Sequence, residues 1–341
     1  MTHLLSRSRR LSAIAAIGAT AALALTACGT ESDAPSSDGG PATESECQGP
    51  DGDYLIGMSQ ANNAEPYRVQ MNDDIKAAAS EIDQFDIKIA DAGQDSATQV
   101  SQVQNFITQK VDLLMISPNE AAPLTSVVAD AYNQGIPVIV LDRKVEGDAY
   151  TQFIGADNAE IGKRAGEYVA KELLPDGGNV VEIRGLSGST PAKEREEGFA
   201  KGISDNSDIK IMDKGDGDWL LEDGQAEAQA MFKAHNNIDV VYSHNDPMAQ
   251  GAAAAAENAG VKGNIDIIGI DGLPIPAGGL KSVENGELTA TFVYPTGGEE
   301  AVESAKKLLI DCEDVSKDVT LETEQVTKKN AAKVYAQNET K

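Results

Sequence analysis

Residues 96–117 read SATQVSQVQNFITQKVDLLMIS, and the change of pattern inside them decides the fold. In the first part Val100, Val103 and Phe106/Ile107 recur at i, i+3 and i+6/i+7, which places them on one helical face. In the second part DLLMIS is apolar almost throughout. It lacks the alternation of a half-exposed strand, as expected of a strand covered on both faces. An amphipathic helix leading into such a strand is the repeating unit of a parallel α/β sheet. The same alternation runs outward in both directions. Apolar runs occur at YLIGM, IKIA, PVIVLD, TQFIG, NVVEIR, IDVVYS, DIIGID and TATFV, with helical patterns such as NAEIGKRAGEYVAKELL between most of them. The roughly 290 residues that follow position 52 exceed one comfortable core, so two α/β domains with parallel sheets are expected.

The N-terminus has a different logic. Arg7, Arg9 and Arg10 precede an apolar, alanine-rich stretch at residues 11–26 that ends in small residues, the pattern of an export signal. That stretch has 16 residues, short of the ~20 a membrane-spanning helix needs. Leu25-Thr26-Ala27-Cys28 resembles the lipobox of bacterial lipoproteins, which implies cleavage before Cys28 and a lipid on its thiol. Two or more acyl chains at ~0.8 kcal/mol per buried CH₂ hold such an anchor firmly. Residues 28–52 are rich in Ser, Gly, Pro and acids and read as a tether. The chain is therefore expected outside the cytoplasm, lipid-anchored to the outer face of the cell membrane or periplasmic, and touching the membrane through that anchor only. Cys47 and Cys312 then remain, and in an oxidising exterior such a pair is expected to be bridged.

Charge and motifs exclude several classes. A net charge of −27, with 55 acids against 28 Lys and Arg, repels nucleic acid. HExxH, CxxC, GxSxG and GxxxxGK[ST] do not occur, so neither metal nor cofactor is expected and the chain does not read as an enzyme. His235 and His244 lack metal-ligand spacing and read as surface or hydrogen-bonding residues. KGDGDWLLEDG is acidic and Gly-rich but fails the EF-hand pattern.

What stands out is polar residues where strands end. Asp142 and Arg143 follow PVIVL, Asn245 and Asp246 follow VVYSH, and Asp271 ends IIGID. In parallel sheets, ligands bind outside the carboxyl ends of strands. Each residue could instead cap the next helix, and Asp246, before Pro247, is expected to do so. Three such positions together favour a shared polar cleft.

LIGMSQANNAEPYRVQ, VIVLDR, GADNAEIGKRAGEYVAKEL, NVVEIRGLSGSTPAKEREEGF, VVYSHNDPMAQGAAAAAENAG and IIGIDG resemble, in order over about residues 53–318, the type I periplasmic sugar-binding proteins. The ribose- and galactofuranose-binding proteins of ABC importers are the closest types. The resemblance implies two Rossmann-like domains joined by three crossovers, near residues 156–157, 294–295 and Val319, with a ligand trapped by hinge closure. The domains would be 53–156 plus 295–318 and 157–294 plus 319–341. It implies a monomer that binds a monosaccharide or sugar alcohol and delivers it to an ABC permease. A lipid-anchored sensor that presents its closed form to a signalling receptor is the alternative.

By motif, the resemblance assigns sugar contacts to Asp142, Arg143, Arg195, Asn245 and Asp271. Asn63, Tyr67 and Arg68 fall in the first binding loop, Gln60 lines it, and Trp219 takes the place of a stacking aromatic in a loop. Tyr67 and Arg68 stand where ribose-binding proteins carry two phenylalanines, and Tyr294 where they carry glutamine, which argues against ribose itself. Three arginines leave room for an acidic sugar. The last helical stretch would return to the first domain and bring Cys312 toward Cys47. The chemistry suits a polyhydroxylated ligand, because carboxylates accept, guanidinium groups donate in a fork, and Asn does both.

Overall fold

The computed structural model describes residues 47–339. The signal segment, Cys28 and most of the expected tether lie outside the described residues. Two six-stranded sheets are formed. The first runs β11-β5-β4-β3-β1-β2, built from β1 (Tyr54–Gln60), β2 (Phe85–Asp91), β3 (Leu113–Ser117), β4 (Val138–Leu141), β5 (Gln152–Ala156) and β11 (Asp318–Leu321). The second runs β12-β10-β9-β8-β6-β7, from β6 (Gly178–Arg184), β7 (Ile209–Asp216), β8 (Val240–Ser243), β9 (Asp266–Ile268), β10 (Ala290–Val293) and β12 (Glu324–Thr327). Pairing is parallel except between β10 and β12. The chain thus forms the two-lobed α/β architecture that the resemblance implies.

The central strands are the runs the sequence marks as doubly covered. Leu113, Leu114, Met115 and Ile116 are all buried, as are Val138, Ile139, Val140 and Leu141. The edge strands differ. β2 and β7 alternate exposed and half-buried positions, and β7, β11 and β12 are strands that no apolar run announces.

The chain passes between sheets three times: after β5, after β10, and between β11 and β12. The third passage corrects the expectation at Val319. That residue pairs with Ile154 inside the first sheet, so the chain leaves it only after Leu321. Composition also set the start of the ordered chain too late. Cys47 is bridged to Cys312, with Cα atoms 5.7 Å apart, and the Tyr54 hydroxyl donates to the Gly49 carbonyl at 2.8 Å.

In the second lobe, helix α4 (Asn158–Tyr168) lies against α5 (Thr190–Ile203) with almost no side-chain layer between them. A Cβ on Gly162 would stand 2.3 Å from the Arg195 carbonyl oxygen, and one on Gly198 2.2 Å from that of Ala159. Glycine at these points lets the backbones meet, and that approach brings Arg195 on α5 to Asn158 at the start of α4.

Candidate functional site

Between the lobes, at the carboxyl ends of the strands, lies an empty volume of about 250 Å³.

The first lobe supplies a knot of charges. Helix α1 (Pro66–Ser80) opens with proline, whose fixed φ suits a first helical position, so Tyr67 and Arg68 sit in the first turn at the cavity wall. Arg68 Nη2 pairs with Asp142 Oδ2 at 2.7 Å and Nη1 donates to Ser117 Oγ at 2.7 Å. Arg143 Nη2 reaches Glu65 Oε1 at 3.2 Å and Nη1 donates to the Asn119 carbonyl at 3.1 Å. All four charged side chains are nearly fully buried. Buried ions persist only when paired and hydrogen-bonded, which this knot achieves. Burial pushes the Asp142 carboxyl up, but the guanidinium groups of Arg68, Arg143 and Arg195 bring it below the usual range. Burial and the neighbouring Arg68 bring Arg143 down to about 10, so it stays charged at neutral pH.

The second lobe supplies Arg195, Trp219, Asn245 and Asp271. Arg195 Nε donates to Asn158 Oδ1 at 2.8 Å, and Nη1 donates to the His244 carbonyl. Asn245 caps helix α7 (Asp246–Asn258) by accepting from Met248 N at 3.0 Å, and its amide donates to the Trp219 carbonyl at 3.0 Å. The indole of Trp219 lies under two arginines, Arg143 at 5.3 Å and Arg195 at 5.4 Å, within cation–π reach. At the hinge, Tyr294 meets Tyr67 edge-on with ring centroids 5.5 Å apart, and Arg195 lies over Tyr294 at 5.0 Å.

The backbone is strained here. Asp142, Asp218 and Trp219 have φ of 62°, 49° and 74°, and Asp271 has 135°. Positive φ is unusual outside glycine and a genuine outlier for a bulky residue, and such outliers gather at ligand clamps.

Nine of the eleven residues singled out from the sequence therefore share one wall. Gln60 and Asn63 do not. Gln60 is buried behind it, donating to Asn72 Oδ1 at 2.9 Å. Asn63 is exposed, accepting from Asn72 Nδ2 at 2.8 Å. The neighbouring Asn62 takes the Ala64 and Glu65 amides on its own Oδ1, and the chain turns there. Glu65 and Pro191 line the cavity unannounced. The signal for Glu65 was its place directly before Pro66, at the mouth of α1.

Two further expectations change. Trp219 is a cavity wall but also a core residue, 3% exposed and a member of the same buried cluster as Val181, Ile183 and Met248. Asp246 caps nothing. Its carboxylate accepts from Thr291 Oγ1 and Gly272 N, both at 2.7 Å. Burial raises it to about 6. Burial and the adjacent Asp246 push Asp271 well above the usual carboxylate range.

Direct contacts join the lobes around the cavity. Lys144 N donates to Thr190 Oγ1 at 2.9 Å and Lys144 Nζ pairs with Glu194 at 3.1 Å. Ala121 N donates to the Gly188 carbonyl at 3.0 Å, and Gln94 Nε2 to that of Asp218 at 2.8 Å. No cluster of metal-ligating side chains occurs among the described residues.

Two α/β lobes closed over a polar, aromatic-walled cavity define a solute-binding protein. The family model described as "Periplasmic binding protein domain" matches residues 56–311. Among curated proteins, the galactofuranose-binding protein YtfQ of Escherichia coli is 34% identical over 227 residues, 64% of this chain and 71% of that one. Among solved structures, the fructose-binding periplasmic domain of the hybrid two-component system BT1754 is 42% identical with a TM-score of 0.81. That match covers 83% of this chain and 94% of that one. A Mycobacterium smegmatis protein in complex with β-D-fucofuranose is 33% identical with a TM-score of 0.78, covering 82% and 93%. The chain belongs to the type I periplasmic sugar-binding proteins, a family of binding proteins and not of enzymes.

Proposed function

We infer that this protein captures a neutral monosaccharide or sugar alcohol outside the cytoplasm by closing its lobes over it. The observation that carries the reading is a set of buried donors in the cavity wall: Arg68 Nε, Arg143 Nε and Trp219 Nε1 have no hydrogen-bond partner among the described residues. A buried polar group left unpaired costs about 1–3 kcal/mol, and a sugar oxygen accepts from such donors. The wall also carries Asp271 and Asn245, which suit hydroxyl hydrogens, and the rings of Tyr67, Trp219 and Tyr294, which suit the C–H faces of a sugar.

The three arginines do not favour an acidic sugar. Arg68 and Arg143 are already paired with Asp142 and Glu65, and Asp271 stands in the same wall. The named ligands of two relatives, galactofuranose and β-D-fucofuranose, make a furanose ring the first class to test, with fructose, named for a third, beside it. A thermal-shift screen of furanoses, pyranoses, polyols and uronic acids tests the reading. Stabilisation by a neutral sugar supports it, and stabilisation by uronic acids alone overturns it.

Delivery to an ABC permease is the proposed destination, with Cys28 carrying the lipid that keeps the protein at the membrane. A sensing role is the second reading, favoured by the 42% identity to the periplasmic domain of a two-component system. Cys28→Ser tests the anchor, since it should release the protein from membranes or stall its processing. Co-purification with a permease or with a sensor kinase separates the two destinations.

A further inference from the structure

His244 touches no part of the cavity, yet both arms of the second-lobe wall rest on it. Its main-chain carbonyl accepts Arg195 Nη1. Its ring stands 6.3 Å from the Trp219 ring and 5.3 Å from that of Tyr242. Gly185, on which Trp219 packs so closely that a Cβ would fall 2.1 Å from the indole, donates its amide to His244 Nδ1 at 3.3 Å. Because Nδ1 accepts, the ring hydrogen is on Nε2, which donates to Glu182 Oε1 at 3.0 Å. Histidine and glutamate are both fully buried.

Glu182 is held in turn by Lys214 Nζ at 3.0 Å, and Lys214 pairs with Glu196 at 2.6 Å near the surface. A chain of charge thus runs from the outer face of the second lobe to the histidine beneath the cavity floor. We propose that His244, neutral and bonded through Nε2 to Glu182, is the positioning residue that sets Trp219, and through the indole the Arg195 stacked on it, for ligand. Its protonation releases them, so capture is linked to pH. The inference rests on the sugar-binding reading.

The mechanism is local. A protonated ring carries hydrogen on both nitrogens, and Nδ1–H would then confront the Gly185 amide, donor against donor. The loop bearing Gly185 and the indole packed on it must move apart from the ring. The charged groups facing the ring are Glu182 on β6, Lys214 on β7 behind it, and Arg195 and Glu196 on α5. Burial outweighs the pull of Glu182, and with Arg195 close by the ring titrates below the ordinary histidine range. It is neutral at pH 7, and the release belongs to acid, on the low side of the ordinary histidine range.

The test uses Trp219 as a probe, since it is the only tryptophan. The first arm needs no sugar: acrylamide quenching of the full mature protein from pH 8 to pH 4.5, for wild type and His244→Gln. Glutamine can still donate to Glu182 but cannot gain a proton. Wild type should show Trp219 becoming accessible in acid while the variant does not. Both proteins keep Asp246, so its titration cancels in the comparison. The same acid response in His244→Gln overturns the proposal.

The second arm measures D-fructose affinity at pH 7.5. His244→Ala should bind at least tenfold more weakly, and His244→Gln should recover part of the loss. Equal affinity of wild type and a folded His244→Ala also overturns it. If His244→Ala does not fold, Glu182→Gln, which uncouples Lys214, serves in its place with a loss of several-fold. Absence of D-fructose binding in wild type refutes that ligand alone, and the quenching arm still decides the role of His244.

Discussion

Arg143 of the first lobe stands 5.3 Å above the indole of Trp219, which the second lobe carries. The contact ties the two halves of the cavity to one ring, and Arg195 shares that ring from its own lobe at 5.4 Å. The closed arrangement of the lobes is thereby built into the cavity wall.

Replacing Trp219 with alanine should act twice. Loss of a buried aromatic face should weaken ligand binding by roughly 1–3 kcal/mol, about ten- to hundredfold. Loss of a large side chain from the buried cluster that includes Val181, Ile183 and Met248 should lower stability by about 3–5 kcal/mol. Calorimetric titration and urea denaturation read the two effects separately. Unchanged affinity in a folded variant would remove Trp219 from the site. Gly185→Ala, which crowds the same indole, should weaken binding without altering any polar contact to ligand.

Asp246 should give a stability profile of unusual sign. Its folded pKa of about 6 lies above the ordinary carboxyl value, so the fold prefers the protonated acid. The associated stability is fully present below pH ~4 and is lost as the pH rises toward 6, on the order of 3 kcal/mol. Asp246→Asn mimics the protonated form. The stability of wild type minus that of the variant should therefore fall between pH 4 and 6 and be level above. A difference that is flat, or that rises with pH, contradicts this.

The bridge between Cys47 and Cys312 closes a loop with a sequence separation of 265. In the chain-entropy account a loop of this length contributes about 5.6 kcal/mol. Reduction should lower the urea midpoint markedly, and the Cys47→Ser, Cys312→Ser double variant should match the reduced protein. An unchanged midpoint would show that the N-terminal segment is held by other contacts.

The contacts across the cleft should govern how long a ligand stays. Thr190→Val leaves the Lys144 amide without its acceptor, and the off-rate should rise several-fold with little change in on-rate. Lys144→Ala should do less, because a partly exposed ion pair contributes only ~0.2–1 kcal/mol. Stopped-flow Trp219 emission measures both rates. Equal off-rates in Thr190→Val and wild type would mean that ligand contacts alone hold the lobes.

The parts of this fold that can be read from sequence are those with a one-sided physical demand. Leu113, Leu114, Met115 and Ile116 face helices on both sides and must all be apolar. β7 reads IKIMDKGD because an edge strand has one wet face, and nothing in its pattern separates it from a loop. Asp142, Arg143 and Asp271 were visible because several polar strand ends in one chain favour a shared cleft over separate helix caps. The one signal for Glu65, its place before Pro66, reads equally well as an ordinary helix start. Gln60 and Asn63 fail for the converse reason: position in a loop says nothing of which way a side chain points, and Asn62 turns that loop. His244 was legible only as a hydrogen-bonding histidine. Its partner Glu182 lies 62 positions away in sequence, a pairing only the sheet brings about.

On the proposed function, the buried arginine and carboxylate wall takes a neutral sugar. Calorimetric titration of the mature protein with D-fructose, galactofuranose, other neutral monosaccharides, myo-inositol and galacturonate tests it most directly. The account predicts that at least one neutral sugar or polyol binds one-to-one with about 8 kcal/mol, the micromolar range, and that galacturonate binds far more weakly. Tight binding of galacturonate with no heat from any neutral sugar would contradict it.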